Sequence, residues 1–219
     1  MSTTDRRRGF FLTFEGTDGS GKSTQLRLLA GRLRREGRDL VETAEPGGTE
    51  IGREIRRIFL TPETTNLTPM AELLLVFAAR AQHIEQVIRP ALDRNQIVLC
   101  DRFTDSSIAY QGFGRELGEQ SVLELDRLVC GGFSPDLTIC MKLDLESSLA
   151  RARSREKTKD ESRIDAESLA FHERVLEGYR AIAAEYPDRF HEIDGAGDPA
   201  VVAERVWVVV RQRLSPPNP

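Results

Sequence analysis

Five short apolar runs punctuate the chain: GFFLTF (9–14), DLVET (39–43), QIVLC (96–100), DLTICMKLD (136–144) and RFHEID (189–194). Several are continuously apolar rather than alternating, as expected of strands covered by helices on both faces, and the intervening segments are long enough for helical crossovers. Helical patterns over 22–36, 50–60, 69–94, 119–131, 145–157, 165–186 and 199–213 fill those gaps. The third carries the stripe Leu73, Leu74, Phe77, Ile84, Val87 and Ile88. The last holds Val201, Val202, Val206, Val208, Val209 and Val210, whose branched side chains favour strands locally, yet its 3.6-residue stripe and its length predict helix. The pattern predicts an α/β fold: a five-stranded, mostly parallel sheet flanked by helices in three layers.

With 219 residues, 39% of them hydrophobic, and no repeat period, the chain reads as one domain over 1–219 able to bury a sizeable core. Charged side chains crowd RARSREKTKDESR (151–163), and this segment with the next two residues, about 151–165, is expected to be mobile and solvated. A formal net charge of -4 argues against nonspecific nucleic-acid binding. Three cysteines (Cys100, Cys130, Cys140) without a CxxC pair, and three histidines outside HExxH spacing, disfavour a disulfide scaffold and a zinc site. No run approaches a membrane span, and the amino terminus lacks a signal-peptide core, so the expectation is a cytoplasmic protein with no membrane partner.

The first chemistry-bearing motif follows the first strand directly. GTDGSGKS, Gly16 to Ser23, matches GxxxxGK[ST] in full, and an amphipathic helix follows it. Gly16, Gly19 and Gly21 let the loop curl so that backbone N–H groups point at phosphate oxygens near the helix N-terminus. The expected phosphate-binding set is Gly16, Thr17, Asp18, Gly19, Ser20, Gly21, Lys22, Ser23 and Thr24, with Lys22 placed to reach the β- and γ-phosphates of a nucleotide and the Ser23 hydroxyl to ligate Mg²⁺. A dinucleotide fingerprint is not met, and no NKxD-type guanine motif is present.

The third strand ends at QIVLCDRFTDSSIAYQG, which puts Asp101 and Arg102 at the carboxyl edge of the sheet, where open α/β sheets bind ligands. Asp101 suits a carboxylate near Mg²⁺; Arg102, always charged, suits bridging donor and acceptor phosphates, though an Asp–Arg pair also caps strand ends. Phe77 and Arg80, spaced i,i+3, place an apolar plate beside a hydrogen-bonding fork, which suits a nucleobase. Read singly, a Phe on a helical apolar face is more often core packing, and Arg80 a solvated charge.

FEGTDGSGKSTQ, EPGGTEIG, FAARAQHIEQVIRPAL and DRFTDSSIAYQG, in this order and spacing, resemble the thymidylate kinase family from about Phe10 to Leu214. The resemblance implies a P-loop nucleoside-monophosphate kinase fold, transfer of the ATP γ-phosphoryl group to dTMP, Mg²⁺ dependence and a homodimer. It also implies that Asp18 binds the acceptor sugar hydroxyl, Phe77 stacks on thymine and Arg80 bonds the base. Arg102 would contact the dTMP phosphate, and Ser106, Ser107, Tyr110 and Gln111 would line the base and sugar pocket, with Tyr110 disfavouring ribose. Helix capping by the serines and core filling by the tyrosine are the plainer alternatives. The family places an extra arginine either in the P-loop or in the lid; the loop position here is Gly19, so the lid candidates are Arg151, Arg153 and Arg155, with Arg163 further along and Arg153 the expected catalytic group. Two departures stand out: Ala44 precedes Glu45 where the bacterial pattern has Arg, leaving Arg53 or Arg56 to compensate, and the lid reads Ser162-Arg163-Ile164-Asp165. A kinase for another pyrimidine monophosphate or a deoxynucleoside, and a non-catalytic ATP-binding module, are the competing readings.

Overall fold

The computed structural model describes residues 9–155, 163–164 and 166–214, with backbone alone over 152–155. Its centre is a parallel sheet of β1 (Phe10–Glu15), β2 (Leu40–Ala44), β3 (Ile97–Asp101), β4 (Leu137–Lys142) and β5 (Phe190–Asp194), in spatial order β2-β3-β1-β4-β5. Around it run α1 (Lys22–Arg35), α2 (Glu50–Leu60), α3 (Pro69–His83), α4 (Arg89–Asp93), α5 (Thr104–Ser107), α6 (Glu119–Cys130), α7 (Leu145–Arg155), α8 (Leu169–Glu185) and α9 (Pro199–Arg213).

Strand alternation divides the core in two. On β1 and β3, Leu12, Phe14, Ile97 and Leu99 pack with Leu26, Leu29 and Leu33 of α1 and Val202, Val206 and Val210 of α9. Phe11, Val98 and Cys100 face the other way, toward α3, α6 and α8. The valine-rich tail is thus a helix because its i,i+4 valines fill a groove on the sheet, a tertiary reward that outweighs the local strand preference of branched side chains. Asp198 caps it by accepting from Ala200 N at 2.7 Å, and Pro199 occupies its first turn. No helix among the described residues is long and apolar enough to cross a membrane.

Three expectations need correction. The long helix predicted over 69–94 is α3 and α4 joined by a π-helical turn, Ile84–Ile88, which falls just ahead of Pro90. Proline has no N–H and crowds the carbonyl one turn back, so the widened turn accommodates it. The helix predicted from 165 begins at Leu169, where Ser168 accepts from Phe171 N at 3.2 Å and caps it. The segment after β3, read only as a motif, is helical: α5 runs into a second π-helical turn, Ile108–Gly114, packed against α8.

Candidate active site

The P-loop leaves β1 at Glu15 and enters α1 at Lys22. Gly16, Gly19 and Gly21 all have positive φ (123°, 80° and 101°), a region closed to most L-residues, and a Cβ on Gly16 would lie 2.4 Å from the Met141 carbonyl oxygen. No side chain caps α1, and its first turn carries no acidic residue, so its terminal N–H groups and positive dipole end serve the loop. Lys22 is buried; its Nζ donates to the carbonyls of Gly16 (3.0 Å) and Thr17 (2.9 Å) and lies 3.8 Å from Asp18 Oδ1. Burial, then the nearby Arg102 charge, lower its pKa from the ordinary value. Ser23 Oγ donates to Asp101 Oδ2 at 2.7 Å.

Arg102 is the hub of the site. It sits in the left-handed region (φ 73°), a strained choice for a non-glycine residue, which turns its side chain back over the P-loop. Nη2 donates to Asp18 Oδ1 (2.7 Å) and the Tyr110 hydroxyl (3.2 Å), and Nη1 to Gly16 O and Ser106 Oγ (both 3.1 Å). Burial works against the charges of both Asp18 and Arg102, yet their attraction wins: Arg102 is raised well above its usual pKa, and Arg102 and Lys22 hold Asp18 well below the carboxylate range.

Beneath this hub lies Glu15, fully buried, which the sequence reading passed over. Its carboxylate accepts from Phe103 N (2.7 Å), Tyr179 OH (3.0 Å) and the Ser106 hydroxyl. It thereby fixes the backbone just after the strained Arg102. The signal lay in β1 itself, FFLTFE, where a charge ends an otherwise buried strand.

From Arg102 a cleft of about 780 Å³ extends between α2, α3 and the helical segment after β3. Asp18, Arg80, Arg102, Ser106, Ser107, Tyr110 and Gln111 all line it, so the structure brings together seven of the eight expected acceptor-side residues. The exception is Phe77: it is 2% exposed, lies in the core cluster, and does not line the cleft. Val76, at i,i+4 rather than i,i+3 from Arg80, lines it instead, while Phe77 lies 4.5 Å below the Arg80 guanidinium. One helical position separates the two readings, and only the rotation of α3 against the sheet decides between them.

Arg80 is not a solvated charge but is fully buried. Its Nε donates to Glu45 Oε2 at 2.8 Å and its Nη2 to Ser107 Oγ at 2.9 Å, while Glu45 Oε1 lies 2.8 Å from His83 Nδ1. Glu45 is a second residue the sequence reading missed; a buried guanidinium demands such a counter-charge. Where Ala44 leaves a cation short, Arg53, Arg56 and Arg57 of α2 line the cleft. Arg163 is held on the acceptor side rather than over the P-loop: its N donates to Leu60 O (2.9 Å), its Nε to Phe59 O (3.2 Å) and its Nη2 to Glu72. Arg151 is exposed on α7; the side chains of Arg153 and Arg155 lie outside the described residues.

A glycine-rich phosphate loop at the carboxyl edge of a parallel sheet, with a cationic cleft opening beside it, defines a P-loop nucleotide-binding phosphotransferase. The thymidylate kinase family model matches residues 14–206. The chain is 47% identical to a thymidylate kinase of Trichlorobacter lovleyi over 210 residues, covering 94% of this chain and 99% of the relative. It is 48% identical to that of Solidesulfovibrio magneticus over 208 residues, covering 93% and 100%. A crystal structure of thymidylate kinase from Ehrlichia chaffeensis superposes with a TM-score of 0.75 at 34% identity, covering 93% of this chain and 99% of that one. The chain belongs to the thymidylate kinase family.

Proposed function

We propose that the chain is a dTMP kinase, transferring the γ-phosphoryl group of ATP to dTMP to give dTDP and ADP, a step toward dTTP. The observation that carries this reading is one cleft that joins Asp18 of the P-loop and Arg102 to the polar pocket of Arg80, Ser107 and Gln111.

The acceptor is already a phosphate oxygen anion, so no general base and no covalent enzyme intermediate are needed; catalysis is positioning and charge stabilisation. Lys22 holds the β- and γ-phosphates once they displace its nitrogen from the loop carbonyls. Arg102, fixed by Asp18, Ser106 and the Glu15 network, meets the acceptor phosphate without reorganising during transfer. Tyr110 stands at the sugar, bonded by its hydroxyl to Asp18 Oδ2 at 3.3 Å, which supports the preference for deoxyribose. Val76 and Phe103 supply the apolar wall for the base. Ser23 and Asp101 offer two hard oxygen donors beside the loop, a set that fits Mg²⁺, which keeps waters and phosphate oxygens among its ligands. Mg²⁺, when bound, neutralises charge on the transferring group. The segment 151–165 acts as a lid in this reading, with Arg153 supplying the cation that Gly19 does not.

A homodimer is part of the proposal. Ile51 and Ile58 on α2, Met70 and Leu74 on α3 and Leu128 on α6 are exposed, and α3 packs against both α2 and α6. Apolar exposure along three adjoining helices supports a protein interface.

The test is ADP release with Mg·ATP against dTMP, dUMP, UMP, dCMP, dGMP and thymidine. Strong preference for dTMP with thymidine inert is expected. Preference for another acceptor would discard the base pocket while keeping the phosphate chemistry, and nucleotide binding without turnover on any monophosphate would turn the reading to a binding module.

A further inference from the structure

We infer that Glu72, which does not line the cleft, sets base selectivity by fixing which end of the Gln111 carboxamide faces the pyrimidine; this rests on the dTMP kinase reading. Glu72 lies in the first turn of α3 and is fully buried. Its Oε1 accepts from Gln111 Nε2 at 2.9 Å, and both of its oxygens accept from Arg115 Nε at 3.1 Å. Oε2 also accepts from Arg163 Nη2. Arg115 is tied in turn to Glu167 at 2.6 Å.

Every partner of Glu72 is a donor. A carboxylate salt-bridged to two guanidiniums has only lone pairs to offer, so Gln111 must turn its NH₂ toward it. That chemical constraint, not the shape of the amide, assigns the nitrogen and oxygen of Gln111. The Gln111 side-chain oxygen, Oε1, makes no hydrogen bond among the described residues, and Gln111 lines the cleft. One turn away, Ser107 holds Arg80 Nη2, while Arg80 Nη1 is buried with no hydrogen-bond partner. Arg80 and Gln111 both line the cleft, the one with an unpartnered donor, Nη1, and the other with an unpartnered acceptor, Oε1. Thymine and uracil present the complement, the O4 acceptor beside the N3–H donor. Cytosine presents an amino donor and an N3 acceptor, setting donor against donor and acceptor against acceptor, the kind of unpaired contact that discriminates strongly in a buried site. Glu72 is therefore a positioning residue for specificity.

The informative variant is Glu72→Gln. Arg115 and Arg163 supply only donors, so they would keep the oxygen of the new amide, and its NH₂ would face Gln111. Gln111 would answer with its oxygen and turn its own NH₂ into the cleft. The ratio of kcat/KM for dTMP to that for dCMP should fall at least about tenfold, by loss on dTMP together with gain on dCMP. A loss of activity equal for both acceptors is what mere loosening of the fold would give; it would overturn the assignment, as would an unchanged ratio. Should Glu72→Gln not fold, the wild-type protein still decides. The Gln111 side-chain NH₂ pair, identified by its disappearance from the NMR spectrum of Gln111→Met, should exchange slowly with solvent in the free enzyme. Exchange as fast as that of surface glutamines would place the NH₂ in the cleft and overturn the inference. Wild-type turnover on dTMP is read in the same assay: its absence sinks the kinase reading and the inference with it, whereas active enzyme with an unaltered ratio sinks only the role of Glu72.

Discussion

Lys22 and Glu15 show two ways in which burial tunes a charge at this site. Lys22 is held by two loop carbonyls and Asp18, so Lys22→Ala should lower kcat by about 10²-fold or more, the scale seen when one charge-stabilising group is removed. Near-wild-type turnover in steady-state assays would remove the P-loop assignment; a melting curve on the same protein separates catalysis from folding. Glu15 is shifted the other way: burial, reinforced by Asp105, pushes its carboxyl up from 4.5 to about 7, against the pull of Arg102 and its hydrogen bonds. Because the folded protein holds this proton more tightly than the unfolded chain, its contribution to stability is fully present below about pH 4.5 and is lost as pH rises through about 7. The stability of wild type relative to Glu15→Gln, measured by urea unfolding, should therefore decline between about pH 5 and 8. A pH-independent difference would mean that Glu15 titrates as an ordinary carboxylate. Among the site residues, Lys22 and Ser23 could be picked out by the spacing of the P-loop motif, and Asp101 and Arg102 by their place at the end of an apolar strand. Glu15, Glu45 and Glu72 could not, since a lone glutamate carries no local mark of which distant donors it meets.

Among the elements, α8 and the π-helical turn Ile108–Gly114 decide how the acceptor wall stands. Gly178 of α8 lets the two backbones meet; a Cβ there would lie 2.8 Å from Ala109 Cα. Gly178→Ala should cost about 1–3 kcal/mol by overpacking, lowering Tm by several degrees, and should raise KM for dTMP because the turn carries Tyr110 and Gln111. Unchanged Tm and KM would show that the helices separate without consequence. The sequence marked the elements with strong periodicity, including the valine-rich α9. It assigned no helix after β3, where the widened turn IAYQGFG carries two glycines and is held by packing against α8 and α6. On α3 the same limit cost one position: periodicity showed an apolar face, and packing put Phe77 in the core and Val76 at the cleft.

For the whole molecule, the testable property is association. Leu74 is half exposed at the middle of the α2, α3 and α6 face, so Leu74→Glu should convert a dimer into a 24.6 kDa monomer in size-exclusion chromatography with light scattering. A dimer that persists would move the interface to another face. The sequence by itself determined the fold class, the phosphate loop and the strand-end Asp–Arg pair, because hydrophobic period and short spacings are local properties that any chain with this pattern must express. Only the tertiary structure decided the counter-charges of Arg80 and Arg102, the rotation of α3, the commitment of Arg163 to Glu72 and the sense of the Gln111 amide. Each of these depends on which side chains meet across dozens of residues, and a buried charge takes its chemistry from the partner it meets rather than from its neighbours in the chain.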